Sequence, residues 1–363
     1  MQLIDLSMEV LEIPLRVTFQ HASASRAVTE TVLVRARTVN AIAGAGEGCP
    51  RSYVTGETLE GALAFFASHR EAFMRIGNPD ELRDWVNSHR EEIDRNPAAF
   101  CAVELALLDV LAREAGQSLE ALLDLPELAG TFRYSAVIGA SNNTQFVGQL
   151  QQYLQFGFRD FKFKLFGRPD VDQPNLDAIR SVSGLRVRVD ANNLWSDAQT
   201  ASAFIKALDY PFMAVEEPLG ARQHEGCREV FRSTGTRIIL DESFLHQADF
   251  AGLEADPQTW IINLRVSKNG GILRTLALAQ RAKELGIPVI VGAQVGETSL
   301  LTRAALTVAS FCRGNLLAQE GAFGTRLLQY DIAEPVLAFG AAGGLEADSL
   351  NCSAMPSVCT TKL

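Results

Sequence analysis

Short apolar runs recur down the second half of the chain, each followed by a stretch whose apolar residues fall at helical spacing. Runs of this kind, bounded by turn residues, read as buried strands, and their alternation with helical segments reads as successive βα units. Strands are expected near 133–139, 158–165, 185–191, 212–217, 237–242, 260–266, 288–295 and 316–321. Eight units are what a closed (β/α) barrel requires. Successive side chains on a strand point to opposite faces. Phe161, Phe163 and Leu165 are therefore expected to face the helix layer, and Lys162 and Lys164 the barrel axis. Likewise Leu185, Val187 and Val189 face outward, and Arg186, Arg188 and Asp190 inward.

The first part of the chain has another rhythm. Residues 1 to about 48 read mostly as strands of a small antiparallel sheet, with Val32, Leu33 and Val34 as an apolar stretch and Gly44, Gly46, Gly48 and Pro50 as a turn-rich exit. Helical periodicity follows in Leu59, Leu63 and Phe66, then in Phe100, Val103, Leu107, Leu108 and Leu111, with Asn96-Pro97 opening the second helix. Pro126–Gly130 supplies a boundary. The expected fold class is α/β, a TIM barrel over residues 131–333 with an α+β capping domain over 1–130. Residues 334–363, which hold Gly340, Gly343 and Gly344 but no ninth βα unit, are expected to return to the cap.

Composition narrows the class. A chain of 363 residues exceeds a single core, but a barrel of about 250 residues with an added domain fits. The apolar fraction of 47% and charged fraction of 21% are ordinary for a globular protein, and the net charge of −10 argues against nucleic acid or an anionic membrane as partner. Met1–Ile13 is acidic and alternating rather than basic then apolar, and no apolar run approaches the ~20 residues of a membrane span. A cytoplasmic enzyme is expected. Cys49, Cys101, Cys227, Cys312, Cys352 and Cys359 are scattered without a Cys-x-x-Cys pair, which suits buried thiols.

Seven polar residues, Lys164, Asp190, Glu216, Asp241, Lys268, Gln294 and Glu320, follow one another at intervals of 26, 26, 25, 27, 26 and 26 residues. That is the length of one strand, one helix and two short loops, so each is expected near the end of its own βα unit. Taken singly, an acidic residue after a strand is more often a helix N-cap. Asp190, Glu216 and Asp241 fall on consecutive strands, however, and three uncompensated carboxylates in one barrel mouth are prohibitive unless a cation or protons neutralise them. Hard oxygen ligands suit Mg²⁺, with Mn²⁺ as the alternative.

Lys162 and Lys164 project on one face into the same mouth. An unperturbed lysine pKa of ~10.4 leaves a neutral base short by roughly 4 to 5 kcal/mol at neutral pH. Two ammonium groups roughly 6.5 Å apart at an effective dielectric of ~20 repel by about 2.5 kcal/mol, about half of that deficit. Lys268 lies well round the barrel from Lys164 in strand order, with the carboxylates on the strands between. One base on each side of a substrate is what a 1,1-proton transfer requires, the metal stabilising the enediolate. Gly270-Gly271 is a turn opening the next helix, or a pair of backbone N–H groups offered to an anion.

Lys162-Phe-Lys164, Asp190-Ala-Asn192, Glu216-Glu217-Pro218, Asp241-Glu242-Ser243 and Asn263-Leu-Arg265-Val-Ser-Lys268-Asn-Gly270-Gly271, in that order and spacing, resemble the enolase superfamily, muconate lactonizing enzyme subgroup. The resemblance implies Lys164 and Lys268 as opposed acid/bases, Lys162 as an electrostatic partner, and Asp190, Glu216 and Asp241 as Mg²⁺ ligands. It also implies a small carboxylate substrate and a homo-oligomer. The family's substrate-selecting cap loops correspond to about 18–26 and 50–56, making Phe19, Arg51 and Tyr53 candidate contacts beside Asn192, Gln294 and Glu320. His21, His69, His89, His224 and His246 all lie away from the strand near 288–295, where a mandelate racemase type of site needs a His base; Gln294 stands there instead. Many dipeptide epimerases of the subgroup carry Asp-x-Asp on the last strand, where this chain has Ala318-Gln319-Glu320-Gly321-Ala322. After the seventh strand, Gly292-Ala-Gln294-Val-Gly296-Glu297-Thr298-Ser299 has an extra glycine relative to the usual spelling.

The leading expectation is a Mg²⁺-dependent racemase or epimerase acting beside a carboxylate of an amino-acid derivative or dipeptide. A cycloisomerase or syn-dehydratase of the muconate cycloisomerase or o-succinylbenzoate synthase type uses the same enediolate. A Schiff-base aldolase acting through Lys164 and a non-catalytic ligand-binding barrel are the other readings.

Overall fold

The computed structural model describes residues 1–21, 24–350 and 355–359, with the side chains of 18–21, 24–25 and 349 outside the described set. Strands β1 (Leu3–Leu11), β2 (Pro14–His21), β3 (Ala24–Val28), β4 (Thr31–Thr38) and β5 (Ala43–Gly48) come first. β1, β4 and β5 form an antiparallel sheet in that order, and β2 pairs with β3. Helices α1 (Leu59–Phe73), α2 (Pro79–Ser88), α3 (Arg90–Arg95), α4 (Pro97–Ala115) and α5 (Leu119–Leu122) follow.

α4 is the spine of this region, with residues 97–112 all buried. Pro97 sets its first turn, and the Glu57 carboxylate accepts from the Ala98 and Ala99 N–H groups at 2.8 and 2.9 Å. It lies almost in backbone contact with β5. A Cβ added at Gly46 or Gly48 would stand 2.1 Å from the Ala102 carbonyl oxygen or 1.9 Å from that of Ala98.

A lead strand, β6 (Thr131–Arg133), opens the barrel. Its units are β7 (Ala136–Ile138) with α6 (Asn143–Gln155), β8 (Asp160–Lys164) with α7 (Pro169–Arg180), β9 (Arg186–Asp190) with α8 (Ala198–Ala207), and β10 (Ala214–Glu216) with α9 (His224–Thr234). Then come β11 (Arg237–Leu240), β12 (Trp260–Leu264) with α10 (Ile272–Glu284), β13 (Val289–Val291) with α11 (Ser299–Phe311), and β14 (Leu316–Gln319). β7 to β14 form one parallel sheet in chain order, and the Ser135 N–H donates to the Gln319 carbonyl at 2.8 Å to join its two edges. Each strand falls within its expected range. Ala214, Ile239, Ile261, Ile290 and Ala318 make a separate small apolar cluster, distinct from the main core.

β15 (Ala333–Glu334) pairs with β17 (Ser357–Val358), and β16 (Gly344–Glu346) pairs with β6. Met355 bonds through its backbone to Asp109 and Arg113 of α4. Cys49, Cys101, Cys227 and Cys312 are buried as free thiols and Cys359 is partly buried; Cys352 lies outside the described residues. Among the described residues no helix is long and apolar enough to cross a membrane.

Candidate active site

The strand alternation carries through to the side chains. Phe163 packs outward on Phe146 of α6, its ring centroid 5.1 Å away, while Lys162 and Lys164 turn inward. Lys162 is buried and lies 3.0 Å from Glu216, 2.9 Å from Glu320 and 3.7 Å from Asp190. Burial opposes its charge, but those three carboxylates outweigh burial and hold its pKa above the ordinary lysine value. Lys164, at the end of β8, is partly exposed and donates to Asn192 Oδ1 at 3.3 Å. Burial lowers its pKa, and the Lys162 charge lowers it further against the pull of Asp190.

Three carboxylates occupy the neighbouring strand ends. Asp190 and Glu216 are register partners across β9 and β10, and Asp241 follows β11 directly. Asp190 accepts from the backbone N–H of Asn192 at 3.0 Å and from its side-chain amide, in a turn where Asn192 and Asn193 adopt φ of 47° and 59°. Glu216 is buried, accepting from Lys162 and from Asn263 Nδ2 at 3.2 Å. Glu217, at φ 40°, accepts from the Asp241 and Ser243 N–H groups and the Ser243 hydroxyl at 2.7, 2.8 and 2.7 Å, and so fixes the loop that carries Asp241. Asp241 itself is gripped by Arg265 and, at 3.0 Å, by Lys268.

Lys268 closes the other side. Its side chain is 0% exposed and its ammonium donates to Asp241 Oδ1 at 3.0 Å and to the carbonyls of Asp241 and Asn263, each at 2.7 Å. Those three acceptors match the three donors of an ammonium. Burial lowers its pKa, Asp241 opposes this, and the adjacent Arg265 charge adds to the lowering.

Among the described residues no three His, Cys, Asp or Glu side chains stand close enough together to hold a metal ion, and the carboxylates pair instead with Lys162, Arg265 and Lys268. The donor set nonetheless suits a hard cation. Burial raises Glu216 well above the usual carboxylate range despite Lys162, and Asp190, Glu320 and Asp241 add to the rise. Glu216 is thus a buried oxygen donor short of positive charge, which a divalent ion held with Asp190 and Asp241 would supply.

The remaining candidate contacts divide. Gln294 is 3% exposed, its Oε1 accepting from Arg265 at 2.9 Å and its Nε2 without a partner among the described residues. Glu320 is tied to Lys162 and, at 2.7 Å, to Arg188, whose charges pull its pKa below the usual range against the effect of burial. Tyr53 is partly buried under the Arg26 guanidinium, 5.7 Å from its ring centre. Arg51 is 0% exposed and donates to the carbonyls of Thr29, Glu30, Pro50 and Val295, so it braces loops and has no face open to a substrate. The Phe19 side chain lies outside the described residues. Sequence reasoning gave no role to Arg265, Arg188 or Glu217. Arg265 stands two residues past the inward Asn263 and Arg188 two before Asp190, so period-2 spacing alone places both beside the lysines.

The cap reaches into this site from behind. Glu104 of α4 accepts from the N–H groups of Ile272 and, at 3.2 Å, Leu273, so the acceptor at the start of α10 is the chain's own carboxyl group. A Cβ at Gly271, φ 95°, would stand 2.2 Å from that carboxylate. The Cys49 N–H donates to Ser267 Oγ at 2.8 Å, and Glu47 accepts from the Thr298 N–H and hydroxyl at the start of α11. Gly296, the extra glycine, has φ 92° and lies where a Cβ would meet Thr29 Cα at 3.2 Å.

A capped parallel barrel with lysines and carboxylates on its strand ends defines a class of proton-transfer enzymes. Residues 145–342 match the description "Enolase C-terminal domain-like" and residues 5–124 match "Mandelate racemase / muconate lactonizing enzyme, N-terminal domain". The chain belongs to the mandelate racemase/muconate lactonizing enzyme family of the enolase superfamily. It is similar to the hydrophobic dipeptide epimerase of Enterococcus faecalis, 26% identical over 92% of this chain and 96% of that one. The dipeptide epimerase structure from that organism, complexed with Mg and L-Leu-L-Tyr, superposes with a TM-score of 0.84 at 26% identity over 97% and 99% of the two chains. The L-Lys-D/L-Arg epimerase of Methylococcus capsulatus is 28% identical over 92% and 93%, and a dipeptide epimerase structure from that organism with Mg and L-Arg-D-Lys gives a TM-score of 0.83 at 26% identity over 98% of each chain. The N-succinyl-L-Arg/Lys racemase of Bacillus cereus is 23% identical over 85% and 84%. The relatives are named as epimerases and racemases, which places the chain among enzymes of the isomerase class.

Proposed function

We propose that the chain inverts the configuration at the carbon beside a carboxylate of an amino-acid derivative or dipeptide, with Lys164 and Lys268 as the two proton-transfer groups. The observation that carries this reading is their placement: β8 and β12 face each other across the ring with the Asp190, Glu216 and Asp241 strand ends between them. Lys164 Nζ takes the α-proton from one face, and the electron pair moves into the carboxylate to give an enediolate. Lys268 Nζ delivers a proton to the opposite face, and the reverse reaction exchanges the roles. Asp190, Glu216 and Asp241 would hold a Mg²⁺ ion, which supplies positive charge to stabilise the developing enediolate. Lys162, held charged by its three carboxylates, adds a fixed positive charge to the β8 side.

Glu320 sharpens the substrate class. Its oxygens are committed to Lys162 and Arg188, leaving it poorly placed to meet a free substrate ammonium. That favours an N-acylated amino acid over a free dipeptide, in line with the relative named for N-succinyl amino acids. The test is incubation in D₂O with Mg²⁺ and a panel of N-succinyl amino acids, dipeptides and α-substituted acids, read by mass. Gain of one deuterium at the α-carbon of an unchanged skeleton is the expected outcome. Loss of water or ring opening in its place would overturn it in favour of a dehydratase or cycloisomerase.

A further inference from the structure

A cavity of about 500 Å³ opens at the end of the barrel opposite the lysines, among the residues that precede β7, β8, β9 and β14. Arg133, Arg159, Arg186 and Arg313 line it. The chain as a whole carries a net charge of −10, so four guanidinium groups around one cavity run against the prevailing sign.

Little inside the protein neutralises them. Arg133 and Arg159 are exposed; among the described residues Arg133 has no partner and Arg159 donates to its neighbouring Phe158 carbonyl at 2.8 Å. Arg313 lies over the Phe132 ring, 4.8 Å from its centre, and donates to the Ala129 carbonyl. Arg186 donates to the Leu317 carbonyl at 3.1 Å and approaches Asp160 at 3.6 Å. Asp160 is the one acid in the lining, and it is already bound by the buried Arg188 at 2.6 Å and by the Ser135 hydroxyl at 2.5 Å.

We propose that this cavity is a second ligand site, for an oxyanion bearing more than one negative charge on phosphate or carboxylate groups. Planar guanidinium forks pair two-for-two with either kind of group, and several of them around one space select for multiple charge. The site is separate from the reaction centre and does not depend on which substrate that centre takes.

Calorimetry tests this on the full chain without added metal, titrating inorganic pyrophosphate in one arm and citrate in the other, with sodium chloride at matched ionic strength as control. The double variant Arg133→Gln/Arg159→Gln changes two exposed side chains outside the catalytic machinery, and its melting temperature and basal turnover serve as checks of folding. Saturable binding in either arm, weakened at least tenfold in the double variant, is the expected result. Pyrophosphate alone would assign a phosphate-bearing ligand, and citrate alone a polycarboxylate. No binding of either anion, or binding that survives in the double variant and disappears in Lys164→Ala, would overturn the site.

Discussion

Lys164 ends β8 with its ammonium partly exposed and donating to Asn192 at 3.3 Å, whereas Lys268 is sealed from solvent and donates to three oxygens within 3.0 Å. The loops behind them differ as sharply. After β8 the chain is held inside its own βα unit, where Asp172 accepts from the Phe166 and Arg168 N–H groups. After β12 it is held by the cap, through Ser267 to Cys49 and through the start of α10 to Glu104. Two residues of one chemical type are thus poised by different means. Lys164 is held by one contact inside its own wall, and Lys268 by three acceptors of the barrel on a loop that the cap braces. A change in the cap should therefore be felt on one side of the substrate and not on the other.

Removal of each lysine has the largest expected effect. Lys164→Ala and Lys268→Ala should each lower racemisation by about 10³-fold or more, within the range for loss of a positioned acid or base. Each variant should keep α-proton exchange with solvent only for the enantiomer facing the surviving lysine, as followed by NMR in D₂O. Wild-type turnover in either variant would end the two-base scheme. A smaller effect separates the carboxylates. Asp190→Asn and Asp241→Asn should each weaken Mg²⁺ binding about 10- to 100-fold by calorimetry, but only Asp241→Asn removes a partner of Lys268 and should also slow exchange on that face. Unaltered Mg²⁺ affinity in both would refute the ligand assignment.

The smallest effect concerns the cap itself. Burial raises Glu104 to about 8, with the Ile272 and Leu273 N–H groups and Arg274 opposing the rise. The unfolded carboxyl titrates near ~4.3, so the folded state binds the extra proton between those values and stability falls as pH rises through that window. Glu104→Gln should cost about 1–2 kcal/mol at low pH, a penalty that shrinks as pH rises and changes sign before pH ~8 because the variant lacks this slope. Denaturant melts of both proteins across that range measure it. A penalty that grows with pH would mean that the ionised carboxylate, not the acid, is the stabilising form.

Much of this was legible in the sequence because it is local. Strand positions followed from apolar runs, and the inward aim of Lys162, Lys164, Arg188 and Asp190 from alternation, since a period-2 pattern fixes a face without knowledge of the partner. The 26-residue interval placed the polar strand ends because every βα unit spends a similar length. What escaped was long-range. The pairs Glu104 with Ile272 and Glu47 with Thr298 are 168 and 251 residues apart, and no periodicity connects them. The same limit hid the reason for Gly270-Gly271 and for the extra Gly296: each side-chain position is filled by a cap atom that a sequence window never contains. Arg51 shows the same limit, since its position matches a substrate loop while its Nη1 and Nη2 groups donate to four carbonyls distant in sequence or in the loop itself.

The near contact of α4 with β5 at Gly46 and Gly48 bears on how such an enzyme changes over evolutionary time. Substrate loops drift readily, since exposed turns accept replacement and insertion. The glycine ledge has no such latitude. Any side chain there meets a helix carbonyl, and the helix it would lift is the one carrying Glu104. Lineages can therefore explore new substrates by rewriting the rim of the cap while its seat stays frozen, and a mutational library should show that division as a silent rim above an intolerant floor.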